Sequence, residues 1–191
     1  MGRGALLKMV RIGVALLALA PWLAWATVVP RLTLEDLVDA SDRVVQGRVV
    51  ASWTAWDQNH RYIWTHYRIR VAEAMKGGGA AEIVISEPGG SLDGQTLLIA
   101  DAVAYTPGEE VIVFTRRVPA GYLRTTGYGQ GKYSVRNGRV ANHAARLTLA
   151  EPARKAGTVR AQTPLDKLNG IPVADFKARV RALISSRPAP R

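Results

Sequence analysis

Polar and hydrophobic residues alternate over residues 61–74, and this pattern predicts a long β-strand with one buried and one outward face. The odd-numbered positions are assigned to the core: Ile63, Thr65, Tyr67, Ile69 and Val71. The even-numbered positions are assigned to the outward face: Tyr62, Trp64, His66, Arg68 and Arg70. The outward face of this strand therefore interleaves aromatic and cationic side chains.

Clusters of β-branched residues between turn signals predict the other strands. These strands are expected at residues 43–53, 82–87, 96–103, 110–116 and 122–126. Gly47 lies inside the first of them and indicates a bulge or a sharp bend. A further hairpin is predicted over residues 133–140, because Asn137-Gly138 suits a type I′ turn.

Helical spacing of apolar residues occurs only near the two ends of the predicted sheet. Thr33 and Asp36 have the spacing of a capping box, and they predict a short helix that ends near Ser41. A second helix is predicted over residues 171–186, following an irregular connection over residues 142–170. Its apolar face consists of Val173, Phe176, Val180, Leu183 and Ile184.

Successive strands with helices only at the ends are typical of a mainly β fold. We expect an OB-like antiparallel barrel of five to six strands over residues 27–141. The short N-terminal helix precedes the barrel, and the C-terminal amphipathic helix packs on or beside it. A β-sandwich is the main alternative.

The first 26 residues have the pattern of a secretory signal peptide. Arg3, Lys8 and Arg11 precede an apolar run over residues 12–20, and Ala24-Trp25-Ala26 supplies small residues two positions apart. Cleavage before Thr27 is expected, and it predicts a secreted or periplasmic protein with no stable transmembrane anchor. The alternative is an anchor that is never removed, although the apolar run is shorter than the roughly 20 residues that a spanning helix needs.

Composition changes this interpretation in two ways. The chain has no cysteine, so disulfides, a thiol nucleophile and a lipoprotein anchor are all excluded. The formal net charge is +11, and loss of the three cations in the predicted signal segment lowers it to +8. A basic exported protein can bind nucleic acid or another anionic polymer, although the same charge also serves solubility.

No recognised catalytic motif is found, and the protein is predicted not to be an enzyme. Residues 127–132 resemble a phosphate-binding loop, but Tyr133 stands where such a loop has Ser or Thr, and a strand follows instead of a helix. Their glycines indicate close backbone packing instead. His60 and His66 would lie roughly 20 Å apart along a strand. No metal and no cofactor are therefore predicted.

Acidic residues near predicted turns leave one enzymatic alternative open, a carboxylate-dependent hydrolase built around the loop at residues 88–101. Roles in turns and at strand ends explain the same positions. The residues concerned are Glu87, Asp93, Asp101, Glu109 and Glu110.

The aromatic and cationic strand face is the candidate binding site, because aromatic rings stack on bases or sugars and Arg binds phosphate or carboxylate. Trp53 and Trp56 are expected beside it. An anionic polymer or a nucleic acid is the corresponding ligand. The alternative is that the C-terminal helix or the segment over residues 142–163 covers this face.

Several segments together resemble an uncharacterised family of secreted bacterial proteins, which implies export and no established activity. The resemblance is carried by residues 40–50, 67–71, 75–77, 88–90, 107–114 and 129–135. The first half is also similar to the netrin-type OB module of tissue inhibitors of metalloproteinases, in which a valine-rich strand precedes a long strand ending in Lys-Gly, here Lys76-Gly77. That resemblance implies an OB-like fold and a protease as partner. Those inhibitors use an N-terminal cysteine where cleavage here would expose Thr27, so no inhibitory residue is transferred.

The leading interpretation is an exported, non-enzymatic domain that binds a macromolecule. A secreted protease or another envelope protein is the expected partner.

Overall fold

The computed structural model describes residues 29–99, 102–142, 149–150 and 163–187, so the predicted signal segment lies outside the described residues. The helices are α1 (Leu34–Ala40) and α2 (Val173–Ser185), and 3₁₀ turns occupy Tyr128–Gly131 and Leu165–Leu168. The strands are β1 (Val29–Pro30), β2 (Arg43–Trp56), β3 (Ile63–Lys76), β4 (Glu82–Pro88), β5 (Gly90–Leu92), β6 (Gln95–Leu97), β7 (Glu110–Arg117), β8 (Leu123–Thr125), β9 (Lys132–Arg136), β10 (Arg139–Asn142) and β11 (Leu149–Ala150).

The main sheet is antiparallel and has the strand order β10-β9-β7-β2-β3-β4, with β8 paired to β7. β2 and β3 form a hairpin of two 14-residue strands, and this hairpin supplies the longest ladder. The predicted mainly β fold is confirmed. Among the described residues the backbone ladders do not close the sheet into a barrel, because β4 pairs with β3 alone.

Two hydrophobic cores lie on opposite faces of this sheet. Val44 and Val45 are neighbours in β2, and each is buried in a different core because successive side chains of a strand point to opposite faces. The first core lies between the sheet and the two helices, where Phe176 of α2 packs on Tyr133. The second core lies on the opposite face and is formed by residues of β2, β3, β4 and β7, and Tyr105 from the segment before β7 fills part of it.

Local interactions form both helices where the sequence predicts them. Thr33 caps α1, since its hydroxyl accepts from the Asp36 amide at 3.2 Å and the Asp36 carboxylate accepts from the Thr33 amide at 2.9 Å. Phe176 and Val180 of α2 are fully buried. No helix among the described residues has the length and apolarity needed to cross a membrane.

Glycine and asparagine act at two of the predicted bends. Gly47 lies at a register shift between β2 and β3, where an added Cβ would lie 2.3 Å from the carbonyl oxygen of Arg70. Asn137 and Gly138 both have positive φ, at 50° and 70°, as a type I′ turn requires. Both predictions are confirmed.

The strand predicted over residues 96–103 is wrong at positions 98, 99, 102 and 103, which belong to no strand, and residues 100 and 101 lie outside the described residues. Only Gln95–Leu97 forms a strand, and it pairs with Gly90–Leu92 in a separate short hairpin. Val103 is buried without belonging to a ladder. Burial in the core, and not strand pairing, therefore accounts for Val103, whereas Leu98 and Ile99 are 86% and 38% exposed.

Candidate functional site: an aromatic face and an open strand edge

Cross-strand pairing assembles most of the predicted site residues on one face of the sheet. Trp53 of β2 lies directly opposite His66 of β3, which in turn lies opposite Ser86 of β4. Ile63 and Tyr67 on the same strand are buried on the other face, as the alternation predicts. We call the assembled group the aromatic face: Trp53, Trp64, His66, Arg68, Arg70, Tyr122 and Arg124.

The rings of the aromatic face contact one another. Trp53 stacks on His66 with ring centroids 5.3 Å apart, and Trp64 packs on Tyr122 at 4.5 Å. Tyr122 also approaches His66, at 5.9 Å. Tyr122 belongs to the turn between β7 and β8, and it is absent from the predicted site residues because no spacing relates it to β3.

Trp56 lies apart from this ring cluster and contacts other residues. The indole nitrogen of Trp56 donates to Asp93 at 3.0 Å, and the ring stacks on His60 at 6.2 Å. Tyr62 precedes β3 and is 52% exposed. The grouping of Trp56 with Trp64 is therefore wrong, because Trp56 lies opposite Ile63 in the β2–β3 ladder and shares the face of that buried residue, whereas the assignment of Tyr62 to the outward face stays a prediction.

The cations of the aromatic face are partly neutralised. Arg68 and Arg70 both form ion pairs with Glu82, at 3.7 and 3.6 Å. The Arg68 guanidinium lies 5.4 Å from the Trp53 ring centroid, and the Arg124 guanidinium lies 5.8 Å from that of Trp64. Trp53 is nevertheless 39% exposed, so the face is open to solvent at this ring.

Helix α2 lies on another part of β3. Lys177 and Arg181 of α2 both bind the carboxylate of Glu73, beyond the end of the aromatic face. Within the described ranges, the β7–β8 turn packs on the aromatic face. Most of the segment expected as an alternative cover, residues 142–163, lies outside the described residues.

Among the described residues, β4 has backbone hydrogen bonds on one edge only. The amide of Gly89 donates to the carbonyl oxygen of Ile63 at 2.8 Å, one step beyond the β3–β4 ladder. Hydrogen-bonded and non-hydrogen-bonded pairs alternate in an antiparallel ladder, so the odd-numbered residues of β4 bond to β3. The even-numbered residues direct their amide and carbonyl groups toward the opposite edge, where the described residues form no ladder: Glu82, Val84 and Ser86.

A groove of about 380 Å³ runs along this open edge, between β4 and the β7–β8 turn. We call it the edge groove. Its lining includes the three outward-directed residues of β4, and also Arg43, His66, Arg117, Tyr122 and Leu123. The edge groove adjoins the aromatic face, since His66 and Tyr122 belong to both.

His66 joins the two surfaces through a hydrogen bond. Its Nδ1 lies 2.7 Å from Ser86 Oγ, as expected for a non-hydrogen-bonded strand pair, in which side chains approach closely. Burial lowers the pKa of His66 below its ordinary value of 6.5. The imidazole is therefore neutral at pH 7, and it serves as an aromatic surface and a hydrogen-bonding partner.

Glu87 connects β4 to β8 at the end of the edge groove. It is 2% exposed, and its carboxylate accepts from the Thr125 amide at 2.7 Å and from the Arg124 guanidinium at 3.1 Å. Burial raises the pKa of Glu87, although the Thr125 amide and Arg124 both oppose that change. The side chain links two strands that no backbone ladder joins.

The other acids proposed for a hydrolase are dispersed. Asp93 accepts from Trp56, and Glu110 accepts from Gln46 at 2.7 Å. Asp101 lies outside the described residues. Glu109 accepts from Lys132 Nζ at 2.9 Å and from Ser134. No group of three or more metal-ligating side chains occurs within the part of the chain that the structure describes.

Lys132, from the glycine-rich segment at residues 127–132, is buried. Its ammonium binds Glu109 and the carbonyl oxygen of Ala104, and it lies 4.6 Å from the Tyr105 ring centroid. A Cβ on Gly131 would lie 2.2 Å from the carbonyl oxygen of Thr126. Close packing is thus confirmed as the role of this glycine.

The Glu109 contact predicts a dependence of stability on pH. Burial alone would raise the pKa of Glu109, but hydrogen bonds from Ser134 and Lys132 outweigh it and hold the pKa below 4.5. A depressed native pKa stabilises the protein above about pH 4.5, and this stabilisation disappears as the pH falls through the native pKa. Urea unfolding from pH 7 to pH 3 should therefore show Glu109→Gln less stable than the wild type at pH 7, with the difference shrinking in acid.

Glu110→Gln is the matched control for this prediction, since it removes the neighbouring carboxylate, which is more exposed. If the free energies of unfolding of the wild type and Glu109→Gln differ by a constant amount across this pH range, the lowered pKa assigned to Glu109 is contradicted.

Comparison with known proteins adds no family. No protein-family model matches the chain, and no curated protein matches it at a significant level. The edge groove and the aromatic face, with the chemistry of their residues, are therefore the features that indicate a function.

Proposed function

We propose that this protein is an exported, non-enzymatic binding domain that adds an extended segment of a partner protein to the open edge of β4. The observation that carries the proposal is the edge groove, a cleft along the edge of β4 that pairs with no other strand of the described residues. Pairing of an added strand with a sheet edge uses main-chain hydrogen bonds for affinity and side-chain contacts for specificity. A secreted protease or another envelope protein is the class of partner that we propose.

An OB-like barrel with an incomplete seam is the fold that we propose for this function. β2 pairs with both β3 and β7, and Glu87 connects β4 to β8 at one point of the seam. This connection supports a barrel that is nearly closed between β4 and β8. The edge groove is then the part of the seam where the two strands diverge.

Val84→Pro is expected to abolish binding of the partner while the domain stays folded. The amide of Val84 points into the edge groove and not toward β3, so proline removes a donor for the partner and leaves the β3–β4 ladder intact. The measurement compares proteins captured from the exported fraction of the producing cells by the wild type and by this variant.

Val84→Ala is the matched control, since it shortens the same side chain and retains the amide. The expected result is one partner that the wild type and Val84→Ala retain and Val84→Pro loses, with circular dichroism unchanged in all three proteins. Equal capture by Val84→Pro and Val84→Ala would contradict binding at the edge of β4.

A second candidate function, binding of an anionic polymer, is favoured by the exposed ring of Trp53 beside Arg68 and Arg70. Because Glu82 neutralises both cations, we expect Glu82→Gln to strengthen binding of single-stranded DNA or heparin, and Arg68→Ala/Arg70→Ala to abolish it. Affinity should fall as salt rises, since phosphate or sulfate contacts release counterions. Salt titrations followed by fluorescence anisotropy test this; affinity equal in the two variants would contradict it.

A further inference from the structure

We infer that the segment bound by the edge groove is acidic and that its carboxylates bind Arg43 and Arg117. The inference rests on the proposed function and specifies the chemistry of the partner. It follows from the charges that line the edge groove, from their hydrogen bonds and from the position of the two arginines in the sheet.

The single carboxylate among the described residues that line the edge groove is already paired. Glu82 binds both Arg68 and Arg70, which lie on the aromatic face. The carboxylate of Glu82 forms no ion pair with the two remaining cations of the lining, Arg43 and Arg117. The edge groove therefore presents a net positive charge to whatever lies along β4.

Arg43 has an available guanidinium. The side chain is half-buried in the lining, and among the described residues its guanidinium makes no hydrogen bond and no ion pair. Arg117 donates from its guanidinium to the carbonyl oxygen of Gly121 at 2.9 Å, which leaves its other donors free for a ligand. The carboxylate of Asp42 is engaged by the backbone amide of Arg117 and not by its guanidinium.

Sheet register brings the two guanidinium groups to the same region. Arg43 lies opposite Thr115 in the β2–β7 ladder, and Arg117 is two residues farther along β7. Positions related in this way share a face of the sheet and are diagonal neighbours about 7–8 Å apart. The paired donors of each guanidinium match the geometry of a carboxylate, which accepts two parallel hydrogen bonds.

An extended ligand with acidic residues at alternate positions can bind both Arg43 and Arg117. Every second side chain of a strand points to the same side, so acidic residues two apart can reach neighbouring cations. The main chain of the ligand pairs with Val84 and Ser86, and its carboxylates determine the sequence that is preferred. A basic or neutral segment would leave Arg43 half-buried without a counterion, which costs affinity.

The test is selection of random peptides displayed on phage against the purified protein, with Val84→Pro as a counter-selection. Peptides that bind the wild type and not Val84→Pro are then synthesised with a fluorophore and titrated with each variant. We expect these peptides to be enriched in aspartate and glutamate at alternate positions. Arg43→Gln and Arg117→Gln should each weaken their binding about tenfold.

Arg116→Gln is the matched control, because Arg116 is an exposed neighbour on β7 that points to the opposite face. It should leave the affinity unchanged. Exchange of charges provides a second measurement. In a peptide whose acidic residues are replaced by lysine, the affinity for Arg117→Glu should be higher than the affinity for the wild type.

The outcomes separate the two proposals. The selected peptides could depend on the Val84 amide and yet be neutral or basic, with binding that Arg43→Gln and Arg117→Gln do not change. This result would overturn the inference that the bound segment is acidic and would leave edge pairing in place. Three other results would overturn edge pairing by a partner protein, and the acidic ligand with it. They are selected peptides that bind Val84→Pro and the wild type equally, an edge groove occupied by a second copy of the chain, and the failure to select any peptide.

Discussion

Replacing Glu87 with alanine is expected to lower the free energy of unfolding by about 3–5 kcal/mol, because the variant removes one partner of a buried ion pair. The change leaves the Arg124 guanidinium without its counterion and the Thr125 amide without its acceptor. A buried amide without an acceptor itself costs about 1–3 kcal/mol. Arg124 retains 22% exposure of its side chain, so water offsets part of the loss.

Urea unfolding followed by tryptophan fluorescence measures this effect. Glu87→Gln is the informative control, since the amide oxygen can still accept from Thr125 while the charge is lost, and a smaller change is expected. Glu82→Ala on the same strand removes an exposed carboxylate and should change the stability by no more than about 1 kcal/mol. Equal effects of Glu87→Ala and Glu82→Ala would show that Glu87 does not link β4 to β8.

The second large effect is expected at the C-terminal helix, where Phe176→Ala should cost about 3–5 kcal/mol. Phe176 is fully buried, and its ring centroid lies 4.5 Å from that of Tyr133 and 6.3 Å from that of Phe114. Truncation removes these contacts and leaves a cavity between α2 and the sheet. Helix α2 then loses the side chain that anchors it most deeply.

The same unfolding assay tests the Phe176 prediction. Arg181→Ala is the control on the same helix, because its ion pair with Glu73 is half exposed and should contribute about 1 kcal/mol or less. An effect of Phe176→Ala below about 1 kcal/mol would indicate that α2 contributes little to the stability of the sheet. That result would contradict the packing described for the first core.

The strands and helices were predictable wherever the deciding interaction is local. The capping box at Thr33, the turn at Asn137-Gly138 and the alternation along β3 each depend on residues a few positions apart. Spacing in the sequence reveals such interactions directly, and the structure confirms all three. The strand predicted at Val103 is wrong because this residue is buried in the second core without a ladder partner, and a buried apolar residue suggests a strand whether or not its backbone is paired.

The candidate site was predictable only on one strand. The alternation along β3 placed Trp64, His66 and Arg68 on a common face, and pairing with β2 brings Trp53 to the same face. Tyr122 and Arg124 were not predicted, because both contact Trp64 of β3 from more than 50 positions away in the sequence. The chain returns to β3 there only because it turns between β7 and β8. Trp56 was grouped with the site because closeness along the sequence does not show that the register of the ladder places it opposite Ile63, on the other face of the hairpin.

The sequence by itself determined a cysteine-free, basic, mainly β protein with a capped first helix and an amphipathic last helix. These properties follow from composition and from periodicities of two and 3.6 residues, which need no knowledge of distant contacts. Only the tertiary structure decided that one edge of β4 has no partner strand among the described residues, that Glu87 links β4 to β8 and that Arg43 and Arg117 line the groove between them. The physical reason is that these relations join residues far apart in the chain, and the combined packing of both cores determines which of them meet.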